Sequence, residues 1–102
     1  MFEIRRTDEF DRWFEALEDG QAIYTIASRI ERLRFGNFGD AKPVGRGVTE
    51  LRIHAGPGYR IYVTQRGRKL VIVLGGGTKR RQDKDIAAAQ DRASRISDDE
   101  EA

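Results

Sequence analysis

The residues best suited to chemistry in this sequence lie in ELRIHAGPGYRIYV, residues 50 to 63. Arg52 and His54 precede the AGPG turn, and Arg60 and Tyr62 follow it, each pair two residues apart. In a strand, residues i and i+2 share a face. A hairpin through AGPG therefore lays all four side by side, opposite a face made of Leu51, Ile53, Ile61 and Val63. A guanidinium fork matches the oxygens of a phosphate, and an imidazole exchanges protons near neutral pH. Downstream, LGGGTKRR (74–81) brings Lys79, Arg80 and Arg81 to the point where the next strand ends. Three glycines there keep side chains out of a bulky ligand's way. Lys84 and, in a glycine-rich loop, Lys42 complete the set of candidate anion-binding residues.

Other chemistries are poorly served. Cations without paired carboxylates argue against glycoside hydrolysis. The single His, with no Cys, argues against a zinc centre, and no metal or cofactor is expected. No serine is placed beside His54, so a Ser-His-Asp arrangement has no support. Electrostatic clamping of phosphate remains: several cations stabilise the charge that builds up in a phosphorane-like transition state. In RNA the 2′-OH supplies the nucleophile, so orientation and charge neutralisation suffice without a metal. Each residue also has a plainer reading. Arg60 fits as a cross-strand partner of Glu50, His54 as a surface histidine, and Tyr62 as a ring covering the edge of the core.

The charge distribution points the same way. The net charge is only +2, but between Lys42 and Lys84 eleven Lys or Arg face just Glu50 and Asp83. A basic block on a small domain suits a polyanion such as RNA or DNA. The final residues, SDDEEA, offset part of it and read as a disordered acidic tail over 97–102. A chain of 102 residues is expected to form one domain, here residues 1–96. MFEIRRTDEF does not resemble a secretory signal and no apolar run is long enough for a membrane span, so a cytoplasmic protein is expected.

The elements that position these residues follow from periodicity. FEIRR (2–6) alternates as a strand. Thr7 is placed as a helix cap ahead of Asp8 and Glu9, and Phe10, Trp13, Phe14 and Leu17 form a helical stripe that Gly20 ends. A second helix is expected from Gln21 to Phe35, with Ile23, Ile26, Ala27, Ile30 and Leu33 inward and Arg29, Glu31, Arg32 and Arg34 in solvent. GNFGDAKPVGRG (36–47) reads as an irregular loop. Strands over 48–55, 59–66 and 69–75 form an antiparallel meander, the last apolar throughout because it is covered on both sides. QDKDIAAAQDRASRI (82–96) reads as a weakly docked helix with a thin stripe of Ile86, Ala89, Ala93 and Ile96. The expected fold is α+β, in the order β-α-α-β-β-β-α. An antiparallel sheet packs on a helical hairpin, and a basic concave face lies open on the other side.

The ordered set ELRI–GPGYR–Y, LGGG-x-K and QDKDI–A, over roughly residues 2 to 95, resembles the RelE/ParE superfamily of type II toxins. Within it the likeness is to the HigB-like, phage-related "addiction module killer" branch. The resemblance implies a toxin held inactive by a cognate antitoxin, a HigA-like helix-turn-helix protein, with operator DNA reached only through that antitoxin. It further implies a ribosome-dependent mRNA endoribonuclease that needs no metal. Arg60 then matches the arginine of the family's GYR motif, which contacts the scissile phosphate. Lys79, or Arg80 or Arg81, matches the basic position after the final strand, while Arg52, His54 and Lys42 fall where relatives place residues for base catalysis or ribosomal RNA contact. QDKDI replaces a tyrosine found near the last helix in RelE proteins, leaving the general acid unassigned. Two alternatives stay open: a ParE-like poison of DNA gyrase, and a catalytically inactive relative that binds only antitoxin and operator.

Overall fold

The first strand, β1 (Glu3–Arg6), runs straight into a capped helix, and Thr7 makes the join. Its hydroxyl oxygen accepts from the Phe10 amide at 3.1 Å and the same hydroxyl reaches the Val73 carbonyl at 2.9 Å. One side chain thus satisfies a free helix amide and ties the helix start to the sheet. Helix α1 (Asp8–Glu15) carries Asp8, Glu9 and Asp11 in its first turn, where the helix dipole favours negative charge. In the computed structural model, which describes residues 1–96, α1 ends before Gly20. Gly20 instead opens α2 (Gly20–Leu33), because the Asp19 carboxylate caps it, accepting from the Gln21 and Ala22 amides. The expected acidic tail, 97–102, lies outside the described residues.

The buried stripe of α2 is Ala22, Ile26, Ile30 and Leu33. Ile23 is only half-buried and Ala27 is exposed, so the helix is rotated slightly from the expected face. Small Ala22 takes an inward place that a count of large apolar residues overlooks. Phe10 of α1 joins this stripe over Leu51, Ile53, Tyr59, Ile61, Val63, Val71 and Val73 of the sheet. Both helices therefore cover one sheet face.

The sheet has five strands in the order β1-β5-β4-β3-β2. Its central meander is antiparallel: β3 (Val48–Ile53), β4 (Tyr59–Arg66) and β5 (Leu70–Thr78). Two features depart from expectation. Residues 41–43 are not irregular loop but a short edge strand, β2 (Ala41–Pro43), antiparallel to β3. Pro43 is tolerated there because an edge strand leaves one side unbonded. The sheet is also mixed, since β1 pairs parallel to β5 from Glu3↔Leu70 to Arg6↔Val73. Alternation in a four-residue strand identifies the strand but not its partner.

The second sheet face is not open. Helix α3 (Gln82–Arg95) lies across it, burying Ala89 and Ala93 with Val48, Tyr62, Leu70, Ile72 and Leu74. The apolar run of β5 is thus covered on both sides, as its composition requires. The helix is firmly docked. Arg66 donates to the Ala93 and Ile96 carbonyls at 2.6 and 3.1 Å, and Gln90 to the Val44 carbonyl at 2.9 Å. Hydrogen bonds from charged donors contribute about 1.5–3 kcal/mol each, and small alanines let the helix approach closely. The architecture is α+β, a mixed five-stranded sheet between two helices and one.

Candidate anion-binding site

Two rows of side chains cross the α3 face of the sheet. Strand register aligns Lys42, Glu50, Tyr62 and Gly75 in one row, and Arg52, Arg60 and Gly77 in the next. Leu51 and Arg60 consequently face opposite ways, as the alternation demands. A bulge makes the second half of the rows possible. Tyr62 pairs with Gly75 and Val63 with Val73, leaving Leu74 as the extra residue. Beyond it the glycines change parity: Gly75 and Gly77 face α3, and Gly76 faces α1.

These glycines do not wait for a ligand. A Cβ on Gly76 would overlap the Trp13 ring, one on Gly77 would overlap the Asp85 carboxylate, and one on Gly75 would come 2.8 Å from the Arg92 guanidinium. The protein's own side chains fill the space, which sequence spacing has no means of revealing.

Tyr62 is likewise not on an open surface. It is 1% exposed, sealed by α3, and its ring packs in the second core. Its phenol donates to Glu50 at 3.2 Å, and burial first, then the nearby Glu50 charge, push its pKa well above the ordinary value. It therefore stays protonated and acts as a donor. The plainer reading of Tyr62 is the structural one.

Glu50, which sequence reasoning left out of the site, is its centre. The carboxylate is fully buried and accepts from Gln82 Nε2 at 2.8 Å, Tyr62 Oη at 3.2 Å and Arg52 Nε at 3.4 Å. Arg60 Nε stands 3.8 Å away, an ion-pair distance too long for a hydrogen bond. Alternation alone puts Glu50 on the face of Arg52 and Tyr62, and that signal was available. Arg60 is 8% exposed. One terminal nitrogen donates to the Tyr59 carbonyl at 3.2 Å, while its Nε has no hydrogen-bond partner among the described residues. A buried guanidinium with an unused donor is costly to keep.

Arg60 lines a shallow depression of about 430 Å³ together with Lys79, His54 and the turn 55–58. The three residues expected to do chemistry thus meet, although they come from β4, the end of β5 and the end of β3. The Lys79 amide donates to the Gly58 carbonyl at 2.8 Å, which fastens the turn to the basic segment. Gly58 adopts φ +82°, a conformation that favours glycine. A larger depression of about 680 Å³ lies next to the first and is lined by 78–84, including Lys79, Arg80, Arg81 and Lys84. Lys79 belongs to both. Lys42 is exposed on β2, in the row of Glu50, and lines neither.

His54 is exposed, its side chain 72% accessible, and Nε2 lies 2.6 Å from Asp40 Oδ2. That bond holds the Asp40 carboxyl below its ordinary pKa. An ionised carboxylate only accepts, so Nε2 donates to Asp40 and Nδ1 is the ring nitrogen left to exchange a proton with a ligand. Asp40 reaches His54 because Arg29, expected in solvent, turns inward. Its guanidinium donates to the carbonyls of Arg52 at 2.6 Å, Phe38 at 3.0 Å and Asp40 at 3.2 Å. Nothing in the spacing of residues 29, 40 and 54 announces this. Among the described residues no cluster of His, Cys, Asp and Glu could hold a metal ion, and no helix is long and apolar enough to cross a membrane.

No family model matches the chain. An uncharacterized protein of Haemophilus influenzae is 49% identical over 88 residues, which span 86% of this chain and 89% of that protein. With that identity over nearly the full length of both, the chain belongs to the same family as the Haemophilus protein.

Proposed function

We propose that the chain is the toxin of a type II toxin–antitoxin pair and cleaves mRNA on the ribosome without a metal. The observation that carries this reading is the nearly buried Arg60 beside Lys79 and His54 at one depression. A scissile phosphate seated there accepts from the Arg60 guanidinium, and the Lys79 ammonium adds charge neutralisation. His54 Nδ1 takes the 2′-OH proton, and the 2′ oxygen attacks phosphorus. The P–O5′ bond breaks, the 5′ oxygen takes a proton from solvent, and a 2′,3′-cyclic phosphate remains. Arg80, Arg81 and Lys84 bind the flanking backbone in the adjacent depression, where each neutralised phosphate makes affinity more dependent on salt. A cognate antitoxin, by charge complementarity, covers this basic margin with acidic residues.

The test is induction of the chain in cells, with RNA 5′ ends mapped and gyrase–DNA adducts assayed in parallel. Growth arrest with new mRNA ends inside coding regions is the expected result. Arrest with intact mRNA and accumulating gyrase adducts would replace this reading with the ParE-like one.

A further inference from the structure

A carboxylate with no solvent exposure, at a position where a valine or leucine would pack, calls for a reason. Burying a charge is costly unless it is fully bonded, and such sites are often no less stable with apolar residues. Glu50 is nevertheless bonded from three elements: Arg52 on its own strand, Tyr62 on β4, and Gln82, the first residue of α3. Arg52 and Arg60 are directly paired across β3 and β4, where like charges repel. Glu50 stands within ion-pair distance of both. Through Gln82 it also fixes the start of α3, and Lys79–Arg81, the short 3-10 turn, immediately precedes that point. One carboxylate therefore sets the spacing between the arginine pair and the basic turn.

We infer that Glu50 is a positioning residue: it touches no substrate, but holds Arg60 and the Lys79 turn at the separation a phosphodiester requires. This role rests on the ribonuclease reading and adds to it the group that organises the clamp. Two substitutions separate positioning from simple structural support. Glu50→Gln keeps the shape and removes the charge, and Gln82→Ala cuts the link to α3 at a half-exposed residue. Cleavage of ribosome-bound mRNA, binding of a single-stranded RNA oligonucleotide, thermal melting, and the NMR signals of the Arg52 and Arg60 Nε–H groups are read on both variants and the wild type. For Glu50→Gln a fall in kcat of about a hundredfold is expected, the scale of an angstrom misplacement. RNA binding should hold or tighten, because one negative charge is gone, and both arginine signals should move. Gln82→Ala should lose kcat several-fold beyond any loss of folded fraction, with KM unchanged. Activity that falls only in step with the folded fraction, or wild-type kcat in Gln82→Ala with unmoved arginine signals, overturns the proposal. The arginine signals are read without RNA. If the wild type cuts no mRNA the ribonuclease reading fails, and those signals still decide whether Glu50 organises the arginines.

Discussion

Arg52 and Arg60 stand directly opposite one another across β3 and β4, and their Nε atoms lie 3.4 and 3.8 Å from the same Glu50 carboxylate. The two are not equivalent. Arg52 completes a hydrogen bond to Glu50, whereas Arg60 keeps its Nε unbonded. Arg60 is also the member of the pair that lines the depression beside Lys79 and His54. In Arg60→Ala, Glu50 still has Arg52, Tyr62 and Gln82, so the variant should fold. Cleavage should fall by on the order of a hundredfold or more, as when one preorganised donor is removed. Primer extension on translated mRNA, beside a thermal melt, checks both halves.

The glycines of the chain should respond unequally to alanine. Gly76→Ala drives a methyl into the Trp13 ring on the α1 side of β5. Overpacking of this kind costs about 1–3 kcal/mol. Gly20→Ala meets nothing within 4 Å and sits in the first turn of α2. It should be neutral or stabilising by about 0.4–1 kcal/mol. Urea unfolding of the two variants distinguishes them, and similar midpoints would contradict the packing described for β5.

Two carboxyls should give pH dependences of opposite sign. The hydrogen bond from His54 lowers the Asp40 pKa, so its contribution is present above the unfolded value of about 3.9 and is lost as pH falls through the lower folded value. Asp40→Asn should be less stable than wild type at neutral pH, and the gap should close in acid. Asp85 is raised by burial, partly offset by Arg81. Its ionisation opposes folding, so stability is lost as pH rises from about 3.9 through the folded value. Asp85→Asn should be the more stable form at neutral pH, with the difference vanishing below about pH 3.9. Melting temperatures across this range test both.

Arg29→Met should destabilise the protein by about 1–3 kcal/mol, because part-buried carbonyls of Phe38 and Arg52 lose their donor. It should also loosen the Asp40–His54 pair. Hydrogen exchange at residues 37–41 is the local readout, and unchanged protection there would contradict the clamp.

The register of the central hairpin was legible because both strands alternate without a break, so Leu51, Ile53, Ile61 and Val63 had one possible face. Thr7 and the doubly covered β5 were legible for the same local reasons. What covers a face was not. The small Ala89 and Ala93 carry little hydrophobic signal, yet they let α3 close over Tyr62. The bulge at Leu74 reversed the glycines, and no pattern in GGG marks a change of parity. The cations of the site are readable as a cluster, while its anion, Glu50, reads from the sequence only as a cross-strand partner of Arg60, because its burial depends on α3 closing over it. Asp40 and Arg29 depend on the path of the 36–47 segment, which periodicity does not describe.

The central claim is that Arg60, Lys79 and His54 drive attack by the 2′-OH on its own phosphate. The direct measurement is end-group analysis of mRNA cut by the purified chain on ribosomes, with a second message carrying a single 2′-deoxy substitution at the mapped cleavage site. 2′,3′-cyclic phosphate and 5′-hydroxyl ends are expected, with no cutting of the substituted message. Ends bearing 5′-phosphate and 3′-hydroxyl, or equal cutting of the 2′-deoxy message, would contradict this claim.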